Sequence, residues 1–452
     1  MDLTAAALAA AVRAGRVTPQ AAARAALARI EALNPRLNAI CALNPALMEE
    51  AASVAARLAD GEDLPLAGVP VVIKDNIWVR GLTVTQGSRL FADFVAPEDA
   101  KAVALLRRAG ALIVGMATCS EFACKGVTNT PLHGKTLNPV DPGRTPGGSS
   151  GGPAVAVAAG MVPLAIGTDA GGSSRRPPAH VGVVGFKPTQ DLVPYGPGFD
   201  EPIWGISAIC PIARDVADVR LALSALAEVP SGAPLVARIA ASADYGLGQR
   251  LDHDMGQAFA GAMSALRDTG VEVVEASPEW QGLTGASVMP LQFAGLAALF
   301  GAVFAETPGV FDPDIAVQIE QGLALSGAGV ARAHHASHWM GEILRDFLSR
   351  HDAILVPTTP CAAWPVDRLA PETIGGEPCA PRDHAAFTPQ ANHAGCPAIS
   401  IPCGKTAEGL PLGLQIVSAP GRDAALLDLA ARIEAILRTR DVEEVSPCVS
   451  SF

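Results

Sequence analysis

Over residues 1–60 the apolar positions recur at helical spacing, and Thr18-Pro19 offers a cap and a first position for a helix over Gln20–Leu33. The pattern then changes. Gly68–Ile73 is a short apolar, β-branched run that stops at Lys74-Asp75-Asn76, which predicts a buried strand delivering polar residues at its tip. Downstream the pattern predicts a helix over Asp99–Ala109, strands over Ala111–Gly115 and Pro163–Thr168, and a helix over Asp215–Leu226. The second half continues with a strand over Leu235–Ala241, a helix over Asp252–Arg267, a strand over Val271–Val274 and a long helix over Val330–Leu348. Strands over Ala353–Val356, Ala398–Pro402 and Leu412–Val417 lead into a last helix over Asp423–Leu437. Alternation of this kind predicts an α/β protein with one large sheet flanked by helices.

No internal repeat and no charged or Ser-rich linker divides the chain, so residues 1–452 are expected to form one domain. Its expected parts are a helical layer over 1–60, a core over 65–225, a variable region over 227–340, and the rest of the sheet over 350–440. The stretch Ala227–Met340 is rich in Ala and Gly with weak punctuation, and fits either a cap over an active site or more of the layered body.

Composition narrows the function. With 49% hydrophobic and 17% charged residues the chain can bury a large core. A net charge of −12 argues against a nucleic-acid backbone or an anionic membrane as partner, which leaves a small molecule. The opening Met1-Asp2-Leu3-Thr4 lacks the basic flank of a secretory signal, and Ala5–Ala14 is too short to span a bilayer, so the expected location is cytoplasmic. Nine cysteines without CxxC spacing predict reduced thiols. His334, His335 and His338 cluster without the carboxylate of an HExxH motif, and read as a polar helix face, not a metal site.

The chemistry concentrates between Asn138 and Pro188, in the clusters Gly147-Gly148-Ser149-Ser150-Gly151-Gly152 and Gly167-Thr168-Asp169-Ala170-Gly171-Gly172-Ser173-Ser174-Arg175. Glycine lets a main chain approach closely and adopt conformations that a Cβ would block, which suits rows of N–H donors aimed at a developing anion. A phosphate-binding loop would need a Lys that neither cluster supplies. A nucleophile elbow matches Gly147–Gly151 as a string, with Ser149 as nucleophile. Its strand is missing, however, because Asn138–Pro146 holds three prolines and two opposite charges, and neither His351 nor His393 stands out as a partner. In the third reading Lys74, desolvated at a strand end, is depressed toward neutrality and takes a proton from Ser149, which takes one from the attacking Ser173.

These segments resemble the amidase signature family, whose pattern joins a strand lysine, a GGSSGG loop and a GTDxGGSxR segment. Ser149 and Ser173 have the family's separation, and Asn138-Pro139, Gly185–Thr189, Pro357–Pro360, Gly395–Gly404 and Gly409–Gln415 look like further landmarks, covering nearly the whole chain. The resemblance implies an α/β/α sandwich around a twisted mixed sheet and hydrolysis of a carboxamide or related C–N bond without a cofactor. It implies Ser173 as nucleophile, Lys74 as base, and Ser149 as the bridging serine after a cis peptide. The backbone of Ala170, Gly171, Gly172 and Ser173 would form the oxyanion hole, with Ser150 supporting the hydrogen-bond network and Asp169 and Arg175 bracing the loop as an ion pair. Ser174 and Pro153 depart from the usual pattern without removing a catalytic group. Arg176 stands at a variable position, where it could dock a substrate carboxylate or simply brace the sheet.

The family also contains the glutaminase subunit of tRNA-dependent amidotransferases, so an ammonia-donating role with a small accessory subunit stands beside the free-standing amidase, as does a homodimer. An inert scaffold that keeps the fold is disfavoured, since Lys74, Ser149 and Ser173 are all present.

Overall fold

Consecutive residues of the central strands enter different apolar cores. Val71, Ile73, Leu164 and Ile166 pack on one side of the sheet, whereas Val72, Leu112, Val114 and Ala165 pack on the other. Because both faces are covered, the strands read as unbroken apolar runs instead of alternating ones. The computed structural model describes residues 3–203, 205–229 and 238–445. Its 11-stranded sheet runs, edge to edge, Ile40–Leu43, Leu112–Ala117, Pro70–Lys74, Leu164–Asp169, Ala208–Ala213, Val184–Lys187, Ala398–Lys405, Pro411–Ser418, Ala353–Pro357, Ile239–Ala241 and Val273–Glu275. Pro70–Lys74 is parallel to both neighbours, as is Ile239–Ala241, and the strands between these two groups pair antiparallel.

Helices Lys101–Arg108, Val216–Leu226 and His253–Asp268 cover one face, while Pro19–Leu37, Leu47–Ala59 and Gly151–Ala158 cover the other. Gly327–Arg350 extends that second layer over the C-terminal half through Met340, Leu344 and Phe347. The result is an α/β/α sandwich around a mixed sheet. The first long helix begins where the sequence indicates, with Thr18 Oγ1 accepting the Ala21 N–H at 3.1 Å. Of the strand expected over Leu235–Ala241, Ile239–Ala241 is present and the start lies outside the described residues.

The stretch 227–340 follows neither expectation alone. Strands Ile239–Ala241 and Val273–Glu275 extend the sheet, whereas Gly285–Glu306 and Pro313–Leu323 form a helical hairpin. Its small residues serve close packing: a Cβ on Gly295 would overlap the Pro202 carbonyl oxygen. The hairpin is fastened by charge. Lys125 reaches Asp312 at 2.5 Å and Asp314 at 3.2 Å, and Glu121 accepts the Asp312 N–H at 2.6 Å.

Candidate active site

Lys74 closes the strand Pro70–Lys74, flanked by parallel strands on both sides, so the backbone ladder fixes where its side chain starts. Lys74 and Ser149 are both fully buried. Lys74 Nζ lies 2.7 Å from Ser149 Oγ, 2.8 Å from Thr168 Oγ1 and 3.4 Å from the Thr168 carbonyl oxygen. Burial lowers the lysine pKa from 10.5 to about 8, with the charge of Asp169 pulling the other way. At a pKa of about 8 roughly a tenth of the amine is neutral at pH 7, and its nitrogen is within hydrogen-bond reach of the Ser149 hydroxyl.

Ser149 sits on a loop whose Gly148–Ser149 peptide is cis. Thr128 holds that loop from both sides, donating its hydroxyl to the Gly147 carbonyl at 2.9 Å and accepting the Gly151 N–H at 3.0 Å. Ser150 joins the two glycine clusters. Its N–H donates to the Ser173 carbonyl at 3.3 Å and its hydroxyl to the Thr168 carbonyl at 3.2 Å. Ser174, the departure from the family pattern, lies 3.2 Å from Ser150 Oγ and donates to the same carbonyl at 3.0 Å.

The second cluster is shaped by Asp169. Its carboxylate accepts the Gly172 N–H at 2.7 Å, the Ser174 N–H at 3.0 Å, Arg175 Nε at 3.0 Å and a second Arg175 nitrogen at 2.9 Å. Burial alone would raise its pKa, but the Arg175 guanidinium, Asn392 and the Gly172 N–H together hold it well below the usual carboxylate range. Arg175 in turn donates to Gln415 at 2.6 Å, Asn392 at 2.5 Å and the Thr388 carbonyl at 2.9 Å. The buried pair thus ties the loop to the C-terminal third of the chain.

Of the expected oxyanion donors, the Gly172 N–H donates to Asp169, while the N–H groups of Ala170, Gly171 and Ser173 donate to no described residue. Thr388 holds the turn by donating its hydroxyl to the Gly171 carbonyl at 2.7 Å, and Gly172 takes φ +109°, a conformation that glycine tolerates. Ser173, nearly buried, lines a cavity of about 250 Å³ together with Ala170, Gly171 and Arg176. Its hydroxyl makes no hydrogen bond with a described residue.

Of the histidines weighed for an elbow-type triad, His393 shares the cavity wall with Ser173 but is bonded elsewhere. His393 lies 2.7 Å from Ser337 Oγ and its pKa is lowered to about 4 by burial, and His351 stacks on Phe347. Neither hydrogen-bonds Ser149 or Ser173, so the elbow reading has no base. Arg176 is buried, with a terminal nitrogen 3.4 Å from His384 Nδ1, and no described carboxylate pairs with it. Sequence reasoning missed Thr168, Thr388, Asn392, Gln415 and the cavity-lining Arg382. Thr168 had a local signal inside the second cluster, and Gln415 closes the landmark run Gly409–Gln415.

His334, His335 and His338 are exposed on the helix Gly327–Arg350. Among the described residues one other group, Cys41, Asp75 and His133, brings its ligand atoms within 4.8 Å of one another. Asp75 already accepts the Thr85 N–H at 2.8 Å, the Thr85 hydroxyl and the Gly87 N–H at 3.2 Å, and burial keeps Cys41 a thiol, so hydrogen bonding accounts for the cluster.

Comparison with known proteins gives a consistent picture. Residues 21–427 match the model of the Amidase family. The chain is 37% identical to a glutamyl-tRNA(Gln) amidotransferase subunit of Deinococcus radiodurans, over 96% of this chain and 97% of that protein. It is 33% identical to an acylamidase of Rhodococcus erythropolis, over 96% of this chain and 95% of that protein. A solved amidase superposes with a TM-score of 0.89 at 30% identity, over 96% of this chain and 100% of that one. A 6-aminohexanoate cyclic dimer hydrolase with bound substrate superposes at 0.84 and 27% identity, over 96% and 97% of the two chains.

Proposed function

We propose, from the premise that the chain belongs to the amidase family, that it hydrolyses amide C–N bonds through an acyl-enzyme on Ser173, with Ser149 and Lys74 as the proton relay. The observation that carries this is the 2.7 Å approach of a fully buried lysine amine to Ser149 Oγ, one glycine loop away from the cavity-lining Ser173. Ser173 Oγ attacks the carbonyl carbon once its side chain turns toward Ser149. Its proton passes to Ser149, whose own proton passes to neutral Lys74. The N–H groups of Ala170, Gly171 and Ser173 are the candidate donors to the oxyanion. Collapse breaks the C–N bond, and the leaving nitrogen takes the proton back through Ser149. Water then attacks the ester by the same relay, releasing the acid and restoring Ser173. Ser150 and the Asp169–Arg175 pair position the loops and touch no reacting atom.

A cytoplasmic enzyme fits the packing of Gly285–Glu306. By length and composition this helix could cross a membrane, yet it packs against two other helices and walls the cavity. A second reading, an ammonia-donating component working with an accessory chain, is favoured by the 37% identity to the amidotransferase protein. Hydrolysis of a panel of small amides by the purified chain, with Ser173→Ala as blank, tests the first reading. Ammonia or amine released without any partner supports it; release that needs an added amidotransferase partner favours the second; release surviving Ser173→Ala refutes the assigned nucleophile.

A further inference from the structure

The cavity beside Ser173 has two guanidinium groups in its wall, Arg176 and Arg382. Neither pairs with a carboxylate among the described residues. Arg176 Nε is buried with no hydrogen-bond partner, and the group's one polar neighbour is His384 Nδ1 at 3.4 Å. That imidazole is held neutral, since burial and then the Arg176 charge push its pKa down. Arg382 donates to the Cys124 carbonyl at 3.3 Å and makes no other hydrogen bond. Of the remaining charges on the wall, Lys125 is matched by Asp312 and Asp314, while Asp383 accepts the Ala380 N–H at 2.8 Å and forms no ion pair with a described residue.

Desolvated guanidinium is costly unless a counter-charge meets it. One such group with an orphaned donor, and a second, half-buried guanidinium on the same wall, leave a place for an anion that the protein itself does not fill. Planar, forked donors suit a carboxylate, which can accept parallel hydrogen bonds. Arg176 follows Ser173 by three positions, so a carboxylate on it lies a few bonds from the carbonyl under attack.

We infer that Arg176 and Arg382 form a carboxylate site, and that the substrates are monoamides of short dicarboxylic acids, carrying their charge on the acyl side. This rests on the amidase reading and deepens it: Ser173 attacks the amide end while the two arginines hold the acid end. An uncharged amide of the same length leaves both guanidinium groups unmet, and an amide with its carboxylate on the amine side presents the anion on the wrong side of the scissile bond.

The test compares glutaramate, pentanamide and N-acetyl-β-alanine as substrates of the wild-type protein, of Arg176→Lys and of Arg382→Gln. Glutaramate is expected to exceed pentanamide in kcat/KM by roughly tenfold to a hundredfold, the scale of a hydrogen-bonded charge pair. Each substitution should cut that preference, mainly through KM, and Arg176→Lys, which keeps the charge but loses the fork, should cut it too. Equal turnover of glutaramate and pentanamide, a preference that survives both substitutions, or better turnover of N-acetyl-β-alanine overturns the inference. Calorimetry of glutaramate binding to Ser173→Ala, with and without Arg382→Gln, gives a readout independent of turnover. Binding weakened by Arg382→Gln supports the site even if no amide is hydrolysed, an outcome that would instead defeat the amidase reading; no binding to Ser173→Ala defeats the site.

Discussion

Replacing Lys74 by Met keeps most of the side-chain volume and removes the ionisable amine, so it isolates what burial of that amine does to stability. The folded-state pKa is about 8 and the ordinary value 10.5. Between those two values the unfolded chain binds more protons, so wild-type stability rises with pH across the window and is lost as pH falls through about 8. That lowering of the pKa corresponds to a penalty of about 3 kcal/mol at pH 7, shrinking to about 1 kcal/mol at pH 10. Lys74→Met escapes this penalty but leaves Ser149 Oγ and Thr168 Oγ1 without the amine, a pH-independent loss of about 1 to 3 kcal/mol. Denaturant unfolding of both proteins, followed by tryptophan fluorescence from pH 7 to pH 10, separates the two effects. Groups remote from Lys74 titrate alike in both proteins and cancel, whereas Glu201, whose carboxylate the Lys74 charge favours, adds a smaller change at the low end of the window. The stability difference should drift by about 2 kcal/mol in favour of the wild type as pH rises. A difference that stays constant over this range would mean that Lys74 titrates as an ordinary lysine, and the relay would lose its base.

Asp169→Asn leaves the buried Arg175 without its counter-charge, and unfolding titrations at pH 7 should show a loss of about 3 to 5 kcal/mol, whereas a loss below about 1 kcal/mol would mean the loop does not depend on the pair. Thr168→Val removes a hydroxyl that favours the charged form of Lys74. The apparent pKa of the rising limb in kcat/KM should therefore move to lower pH, and an unmoved limb would detach Thr168 from the base. Gly172→Ala puts a Cβ where it would overlap Thr388 Oγ1 and strains a backbone at φ +109°. It should lower kcat by about tenfold or more, as an oxyanion donor in a displaced loop would, with kcat like the wild type counting against the turn's role.

Much of the frame is legible in the sequence because it depends on local pattern. The strand at Pro70–Lys74 announces itself by a β-branched run cut short by polar residues, and helix Gly327–Arg350 by its periodicity. Strands Val184–Lys187 and Ala208–Ala213 are absent from the expected elements. Each is short, carries Gly or Pro, and owes its conformation to neighbours in the sheet. Helix Gly285–Glu306 is apolar nearly all round, so it shows no amphipathic face to read. The site divides the same way. Lys74, Ser149 and Ser173 lie in recognisable strings, but Thr388, Asn392 and Gln415 reach Asp169 and Arg175 from more than 200 residues away. Gln415 falls in the landmark run Gly409–Gln415, but no local signal marks Thr388 or Asn392. Arg382 likewise belongs to the cavity only through the fold.

The relay from Ser173 through Ser149 to a neutral lysine is tested most directly by kcat/KM as a function of pH for a small uncharged amide. The account predicts a limb that rises with unit slope and bends near pH 8, where burial places Lys74. A limb bending near 6.5, as for an ordinary histidine, or a profile flat from pH 6 to pH 9, would contradict it.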